Sequence, residues 1–252
     1  MTCEGSSKRD NKNSEYFRTY SQYGEDKIIH RIFGEKYLGV CIEVGAFDGR
    51  TGSNTLAFEE IGWKTILVEP NPLLAEKIRN ERPAATLFEC AVGAECGEVQ
   101  LAIPLGAETL ASVSRDPSQI SRMECSGEAV DRITVPQRTI DEIISEAGVD
   151  KIDFITIDVE GYELEALKGF DISRWHPRIV ILEDNSSGTS LEIPTWMARY
   201  GYVRCRSSGC NDWYCDASGP LATRRSIILT EFIKSLKAYK KITLSALRRA
   251  FG

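Results

Sequence analysis

Apolar residues in the first third of the chain alternate between short continuous runs and segments with helical periodicity. Continuous runs predict buried β-strands, and apolar residues three or four positions apart predict amphipathic helices. We expect strands at 39–45, 64–70 and 85–93, and helices at 21–37, 53–63 and 71–83. This β-α-β-α-β alternation is typical of an α/β fold, with a parallel sheet and helices on both faces.

The pattern resumes after an interruption in the middle of the chain. Residues 98–104 and 131–139 predict an inserted pair of strands, and the polar stretch between them, 105–130, predicts a lid or disorder. Further helices are expected at 139–148, 162–170 and 192–202, and further strands at 151–161, 177–185, 202–206 and 224–229. The prediction is therefore one α/β domain over 19–230, preceded by a disordered leader at 1–18.

Residues 231–252 form a basic tail with six Lys/Arg and one Glu. Its apolar residues fall on roughly one face of a helix, namely Phe232, Leu236, Tyr239, Leu247 and Phe251. Such a helix binds a membrane surface, or it packs on the body or on a second subunit of a homo-oligomer. We favour packing on protein and keep peripheral membrane contact as the alternative.

The composition narrows the function classes. The net charge of −6 disfavours nucleic acid as the main partner, because phosphate binding needs a basic face. No run of about 18 apolar residues predicts a membrane span. The polar beginning of the chain lacks an apolar signal region, and Cys205, Cys210 and Cys215 lack the spacing of a zinc site. We therefore expect a cytoplasmic protein.

Carboxylates gather where the predicted strands end. In an open parallel sheet the carboxyl ends of the strands form one edge, and ligands bind there. The residues at these ends are Glu43, Gly45, Glu69, Cys90, Ala91, Asp158, Glu160, Glu183, Asp184 and Asn185. Acids at one edge repel each other unless a positive group lies among them. A cationic cofactor, a divalent metal, or both would relieve that repulsion.

The turn after the first strand has glycines at Gly45 and Gly49. It matches neither the phosphate-loop pattern nor the dinucleotide pattern GxGxxG, since position 47 is Phe. This spacing favours a nucleoside whose tail is not a pyrophosphate. Glu69 ends the next strand, where an acid can accept hydrogen bonds from both ribose hydroxyls.

Several of these segments together resemble the FkbM family of S-adenosylmethionine-dependent methyltransferases. The resemblance rests on "SQYGED", "VGAFDG", "SNT", "GWKTILVEPNP", "CAVG", "TIDEI", "IDVEGYELEALKG" and "GCNDWYC", and it covers about residues 20–216. It implies a Rossmann-like class I methyltransferase fold with a seven-stranded sheet in the order 3-2-1-4-5-7-6. It also implies S-adenosylmethionine as methyl donor and a hydroxyl of a sugar or natural product as the usual acceptor.

The resemblance also implies roles for individual residues. The methionine part of the cofactor would lie near the loop after the first strand and the start of the next helix. The cofactor-binding residues implied are Gln22, Tyr23, Gly24, Glu43, Gly45, Ala46, Asp48, Gly49, Ser53, Asn54, Glu69, Pro70, Asn71, Ala91, Val92 and Asp158. Of these, Glu69 would hold the ribose, and Ala91 and Val92 would lie near the adenine.

For the reaction itself we expect Asp158 and Glu160 to be catalytic. Asp158, Asp184 and Asn185 also resemble the magnesium ligands of catechol-type O-methyltransferases, and oxygen ligands suit Mg²⁺. Asp184 and Asn185 could instead cap the following loop. His30 and His176 are poor candidates for a base by position.

We expect O-methylation of a hydroxyl on a sugar, glycolipid or small natural product. The alternatives are an N-methyltransferase and an inactive methyltransferase-like domain that binds a partner. A nicotinamide-dependent enzyme is disfavoured by the missing GxGxxG and Tyr-x-x-x-Lys patterns.

Overall fold

A computed structural model of the chain describes residues 17–104 and 130–251. The expected leader at 1–18 and lid at 105–130 therefore lie almost entirely outside the described residues. The strands are β1 (Val40–Val44), β2 (Lys64–Val68), β3 (Thr86–Phe88), β4 (Ala91–Val92), β5 (Gly97–Pro104), β6 (Val130–Arg138), β7 (Phe154–Ile157), β8 (Ile179–Glu183), β9 (Tyr202–Ser208) and β10 (Asn211–Asp216). The helices are α1 (Glu25–Phe33), α2 (Leu56–Glu60), α3 (Pro72–Glu81), α4 (Ile140–Glu146), α5 (Glu163–Lys168), α6 (Ile172–Trp175), α7 (Glu192–Arg199) and α8 (Arg224–Phe251).

Seven strands form the main sheet in the order β3-β2-β1-β7-β8-β10-β9. Numbered along the chain within that sheet, the order is 3-2-1-4-5-7-6, which confirms the expected class I topology. β1 lies parallel to both β2 and β7, whereas β10 runs antiparallel to β8 and β9. The ends of β1, β2, β7 and β8 therefore meet at one edge.

Both faces of this sheet are covered at its centre, which is why β1, β2, β7 and β8 are largely apolar without alternation. Consecutive residues point to opposite faces. Ile155 packs in a large cluster with Ile42 and Leu182, while its neighbour Phe154 packs in a smaller cluster with Phe58 and Trp63. The two clusters fix the sheet between two helical layers and hold its carboxyl edge in place.

Two helix starts follow from local hydrogen bonds that the sequence indicates. The Asn71 side chain accepts a bond from the Leu73 N–H, and Pro72 occupies the first position of α3, as expected. Ser53 Oγ accepts a 3.0 Å bond from the Leu56 N–H, so it closes the start of α2, although the helix itself begins at Leu56.

The third expected strand, 85–93, is divided between two sheets. β3 pairs with β2, whereas β4 pairs with β6 in a three-stranded sheet ordered β4-β6-β5. The expected inserted pair is confirmed, because β5 and β6 pair antiparallel from Gly97 opposite Gln137 onward. The chain leaves the main sheet at Glu89 and Cys90, and this brings β4 against the carboxyl edge.

The expected strand at 224–229 is wrong. Thr223 Oγ1 accepts a 3.1 Å bond from the Ser226 N–H and starts α8, so the β-branched run at Ile227 and Ile228 continues as helix. The tail helix therefore begins at Arg224 and not at residue 231. The last two strands of the sheet are the hairpin β9–β10. None of the helices that the structure describes is long and apolar enough to cross a bilayer.

Candidate functional site

A cavity of about 630 Å³ lies at the carboxyl edge of the main sheet, within the usual size of a small-molecule site. The expected site residues that line it are Gln22, Glu43, Gly45, Ala46, Asn54, Glu69, Pro70, Ala91, Val92, Asp158 and Glu160. Lining residues that the sequence analysis did not assign to the site include Tyr20, Phe47, Thr51, Gly52, Leu101, Thr156 and Cys210. The expected Tyr23, Gly24, Asp48, Gly49, Ser53 and Asn71 are not among the lining residues.

The loop after β1 passes very close to the end of β7. Gly45 has a φ of +82°, and a Cβ on it would lie 1.8 Å from the Asp158 carbonyl oxygen. Only glycine permits this approach, which places the β1 loop and Asp158 side by side. Asp48 closes the loop by accepting bonds from the N–H groups of Arg50 and Thr51.

Gly49 also shapes this loop from behind. Its φ is +79°, and a Cβ on it would lie 3.1 Å from the Ile78 side chain and 3.2 Å from the Arg82 side chain. Asp48 and Gly49 therefore fix the course of the loop and do not line the cavity.

Glu43 is held by a buried network that the sequence analysis missed. Its carboxylate accepts bonds from Ser53 Oγ and the Asn54 N–H, both at 2.7 Å. Arg82, whose side chain is fully buried, lies 3.4 Å from Glu43 and 2.7 Å from Glu59. Arg82 thus neutralises the acid of the first strand internally. The carboxylate of Glu43 holds the start of α2, and Ser53 acts with it behind the cavity wall.

Glu69 lies at the end of β2 with its carboxylate in the cavity wall. It is 4% exposed, and it accepts 2.9 Å bonds from the Phe47 N–H and the Asn71 N–H. Burial raises the pKa of Glu69 to about 7, although these two bonds oppose the rise. Each oxygen keeps accepting capacity, so the side chain suits a vicinal diol such as that of ribose.

Asn54 lines the same cavity and has a buried acceptor without a partner in the described part of the chain. Its Nδ2 donates to Thr156 Oγ1 at 3.2 Å, while its buried Oδ1 has no hydrogen-bond partner among the described residues. A buried acceptor without a partner is costly. An ammonium group in the cavity would satisfy it, which fits the methionine part of S-adenosylmethionine.

The apolar part of the wall comes from the strand that leaves the main sheet. Ala91 and Val92 of β4 are 4% and 2% exposed, and Leu101 of β5 is 1% exposed. These side chains line the cavity together with Leu74 of α3. The flat face of an aromatic base such as adenine suits this surface.

Three acids form a cluster in the wall of the same cavity. Asp158, Glu160 and Glu183 each place one carboxylate oxygen within 4.8 Å of the others. Asp158 is exposed within the cavity, but the protein packed around its carboxylate and then the charge of Glu183 raise its pKa to about 7. Burial followed by the charge of Glu160 raises the pKa of Glu183 to about 7. One proton is therefore readily held or released within this cluster near neutral pH.

The turn that carries Glu160 is built by a further acid. Glu163 accepts bonds from the N–H groups of Val159 and Gly161, at 3.2 and 2.9 Å. Glu160 has a φ of +52°, a conformation that a non-glycine residue adopts only when its surroundings impose it. The turn "VEGYE" therefore positions Glu160 beside Asp158.

The expected metal set of Asp158, Asp184 and Asn185 is not assembled. Asp184 lies 2.7 Å from Lys234 Nζ and accepts a 2.8 Å bond from the Gly188 N–H, so it closes the following loop. Burial opposes ionisation of Asp184, but the bonds from Lys234 and Ser186 outweigh it and lower the pKa. The Asn185 amide donates to Glu183. Glu183 thus takes the place expected for Asp184 in the cluster.

The segment before α1 forms one lip of the cavity through Tyr20 and Gln22. Asp26 orders this segment by accepting bonds from the Tyr20 N–H and Thr19 Oγ1, both at 2.6 Å. Gly24, with a φ of +77°, precedes α1, and the Tyr23 hydroxyl lies 3.8 Å from Cys210 Sγ. Tyr23 and Gly24 therefore support the lip without lining the cavity.

The sequence matches a known family over most of the domain that carries this cavity. The family model described as Methyltransferase FkbM domain matches residues 43–204, more than half of the chain. A search of curated proteins gave no significant match.

Among solved structures, the chain is similar to a TehB-like SAM-dependent methyltransferase from Corynebacterium glutamicum, at 12% identity and a TM-score of 0.41, covering 78% of this chain and 89% of that one. It is also similar to precorrin-6y C5,15-methyltransferase from Geobacter metallireducens, at 10% identity and a TM-score of 0.41, covering 80% of this chain and 93% of that one.

Proposed function

This chain belongs to the FkbM methyltransferase domain family, and we propose that it methylates a hydroxyl oxygen of a sugar, glycolipid or small natural product. S-adenosylmethionine is the donor that the family implies. We favour oxygen as the methylated atom because Asp158, Glu160 and Glu183 form a cluster in the cavity that Glu69 also lines. The cluster supplies an acceptor for the hydroxyl proton.

The described residues fit the cofactor in separate parts. Glu69 offers carboxylate oxygens to the ribose diol, Asn54 Oδ1 offers an unsatisfied acceptor to the ammonium group, and β4 offers an apolar wall to the adenine. The acids of the cluster favour a positive charge beside them. When bound, S-adenosylmethionine supplies a methyl group on a positively charged sulfur, which is a good leaving group.

Methyl transfer to a hydroxyl is an in-line displacement in which a carbon–oxygen bond forms and a carbon–sulfur bond breaks. The enzyme must align the two groups and remove the hydroxyl proton. We assign proton removal to the Asp158 carboxylate, whose pKa of about 7 suits a base at neutral pH. Glu183 acts beside it by raising its proton affinity, and Glu160 raises that of Glu183.

A divalent metal is a second way to activate the acceptor. We keep Mg²⁺ in the proposal, but with ligands that differ from the Asp158, Asp184 and Asn185 expected from sequence. Asp184 is engaged by Lys234, so the set would be Asp158, Glu160 and Glu183, whose oxygens suit a hard cation.

The test is a transfer assay that follows release of S-adenosylhomocysteine with alkyl glycosides and with the matching amino sugars as acceptors. We expect product with hydroxyl acceptors, and at least about a hundredfold loss of kcat in Asp158→Asn with an unchanged melting temperature. Product only with amino sugars would favour N-methylation. No transfer, combined with cofactor binding, would favour an inactive binding domain.

A further inference from the structure

Helix α8 packs on the body with its charged face and turns its apolar face outward. Lys234 is 2% exposed, whereas Phe232 and Leu236 are 60% and 53% exposed and Tyr239 is 72% exposed. A helix that merely covers a core has the opposite arrangement, with apolar residues inward. The outward face therefore needs an explanation other than packing within the chain.

Three lysines fix this orientation. Lys234 Nζ lies 2.7 Å from both Asp184 Oδ2 and Asp212 Oδ1. Further along the helix, Lys237 Nζ donates to the Gly209 carbonyl oxygen at 2.8 Å, and Lys241 Nζ donates to the Ser186 carbonyl oxygen at 3.0 Å. Rotating the helix to bury its apolar face would take from Asp184 its only cation among the described residues and from Asp212 one of its two, so the orientation is held strongly.

The exposed apolar residues form a concentrated patch. Of thirteen exposed large hydrophobic side chains among the described residues, eight lie on α8. They are Ile228, Leu229, Phe232, Ile233, Leu236, Tyr239, Ile242 and Leu244. Leu247 and Phe251, which the sequence analysis assigned to the same face, lie beyond the described side chains. A contiguous patch of this kind marks an interaction surface, unlike isolated apolar residues.

The charge of the helix indicates which partner covers this patch. Residues 224–251 contain eight Lys/Arg and a single acid, Glu231, although the whole chain has 31 Lys/Arg and 37 Asp/Glu. Arg224, Arg225 and Lys240 are exposed, and none has a carboxylate within 4.0 Å in the described part of the chain. A second copy of the helix would bring like charges together. An anionic lipid surface would attract them.

We propose that the outward face of α8 docks the protein on an anionic lipid bilayer. Basic residues around an apolar face that contains aromatic side chains are the features of a helix that lies in the membrane interface. The sequence analysis favoured packing of this helix on protein, and its inward face does pack on the body. We assign the alternative, membrane contact, to its outward face.

The helix lies beside the rim of the cavity. Lys237 binds the carbonyl of Gly209, and the next residue, Cys210, lines the cavity. Membrane docking would hold this rim near the lipid headgroups. This step rests on the proposed function. The acceptor would then be a hydroxyl carried by a membrane lipid, such as the sugar of a glycolipid.

The test is co-sedimentation of the full chain with vesicles of phosphatidylcholine alone and with vesicles containing phosphatidylglycerol. The variant is Phe232→Ser/Leu236→Ser, and the matched control is Leu38→Ser/Leu73→Ser, which removes two leucines of similar exposure, 61% and 71%, from elsewhere on the surface. We expect binding to the anionic vesicles and unchanged binding by the control. The variant, and the wild type in about 0.5 M salt, should bind at least about tenfold more weakly.

Failure to bind anionic vesicles would overturn the proposal, as would equal binding by the wild type and the α8 variant. A dimer in size-exclusion light scattering that dissociates only in the α8 variant would assign the face to a second copy and also overturn it. S-adenosylmethionine affinity is measured on the same samples by calorimetry. If the wild type fails to bind the anionic vesicles but binds the cofactor, docking is rejected and the proposed function still stands.

Discussion

At the scale of single residues, Gly45 links the fold to the site. Its positive φ bends the chain out of β1, and its missing side chain lets this bend touch the end of β7 at Asp158. The β1 loop and Asp158 are therefore held side by side by this contact and by the 3.0 Å bond from the Asp158 N–H to the Val44 carbonyl oxygen. The glycine is needed for this contact whether or not a ligand is bound.

Gly45→Ala should destabilise the fold by about 3–5 kcal/mol, because it adds strain at a positive φ to a direct clash with backbone. The matched control is Gly148→Ala, where φ is also positive, +61°, but nothing lies within 4 Å of the added Cβ. We expect only about 1–2 kcal/mol there. Urea unfolding measures both, and equal losses would contradict the role of the β1–β7 contact.

The pH dependence of transfer follows from Asp158. A base works only when deprotonated, so kcat/KM for the acceptor at saturating cofactor should fall as pH drops below about 7, the pKa to which the surrounding protein and Glu183 raise Asp158. Glu183→Gln removes one of these causes and should move the fall to lower pH by on the order of one unit. The exposed Glu76→Gln is the control. A profile unaffected by Glu183→Gln would remove Asp158 from the role of base.

At the scale of elements, α8 is attached to the sheet by charge. Lys234 lies between Asp184 after β8 and Asp212 of β10, and Arg204 of β9 joins Asp212 to Glu231 of the helix. Lys234 and Asp184 are 50 positions apart along the chain. Because the residues of this network are so far apart in sequence, no local pattern predicts it.

Lys234→Met should lower the free energy of unfolding by about 3–5 kcal/mol, because it removes the only cation paired with Asp184 among the described residues and one of the two paired with the buried Asp212. Asp184 has a lowered pKa, so its contribution is present above the ordinary Asp pKa and is lost as pH falls below it. The difference between wild type and variant should therefore shrink in acid. Lys240→Met is the control, at an exposed position with no ion pair among the described residues. A difference that persists at low pH would contradict this origin.

Elements and site were predictable from sequence to different degrees. Strands such as β1 and β7 are continuous apolar runs, and Asn71 with Pro72 indicates the start of α3, so local chemistry sufficed there. Thr223 was overlooked as a cap, and the β-branched residues after it suggested a strand.

Ion pairs between distant residues were the main source of error at the site. Arg82 and Lys234 could not be assigned, because each joins residues far apart in sequence. Because the ion pair with Lys234 is not visible in the sequence, the sequence predicts Asp184 as a metal ligand. In the structure Asp184 pairs with Lys234 of α8.

At the scale of the whole molecule, the strand order fixes where chemistry can occur. The sheet brings the ends of β1, β2, β7 and β8 to one edge, and β4 adds an apolar wall there. Two acids of this edge, Glu43 and Asp184, are paired with buried cations. Glu69, Asp158 and Glu183 have no ion pair within the described residues, and all three line the cavity.

Metal dependence is tested on the intact protein by adding Mg²⁺ or EDTA to the transfer assay. If the acidic cluster holds a cation, EDTA should abolish transfer and Mg²⁺ should restore it, in Asp184→Asn as in the wild type. If Asp158 acts alone as base, EDTA should change kcat less than about twofold. Loss of Mg²⁺ activation in Asp184→Asn but not in Glu183→Gln would contradict Asp158, Glu160 and Glu183 as the ligands.

The central claim is that this cavity binds the adenosyl cofactor through Glu69. Calorimetric titration with S-adenosylmethionine and S-adenosylhomocysteine tests it most directly, with NADH as the competing ligand class. Both adenosyl ligands should bind and NADH should not. Glu69→Ala should weaken binding by about 1.5–3 kcal/mol, roughly 10- to 150-fold, because hydrogen bonds to a charged acceptor are lost. Absence of adenosyl binding to the wild type, or full affinity in Glu69→Ala, would contradict this claim.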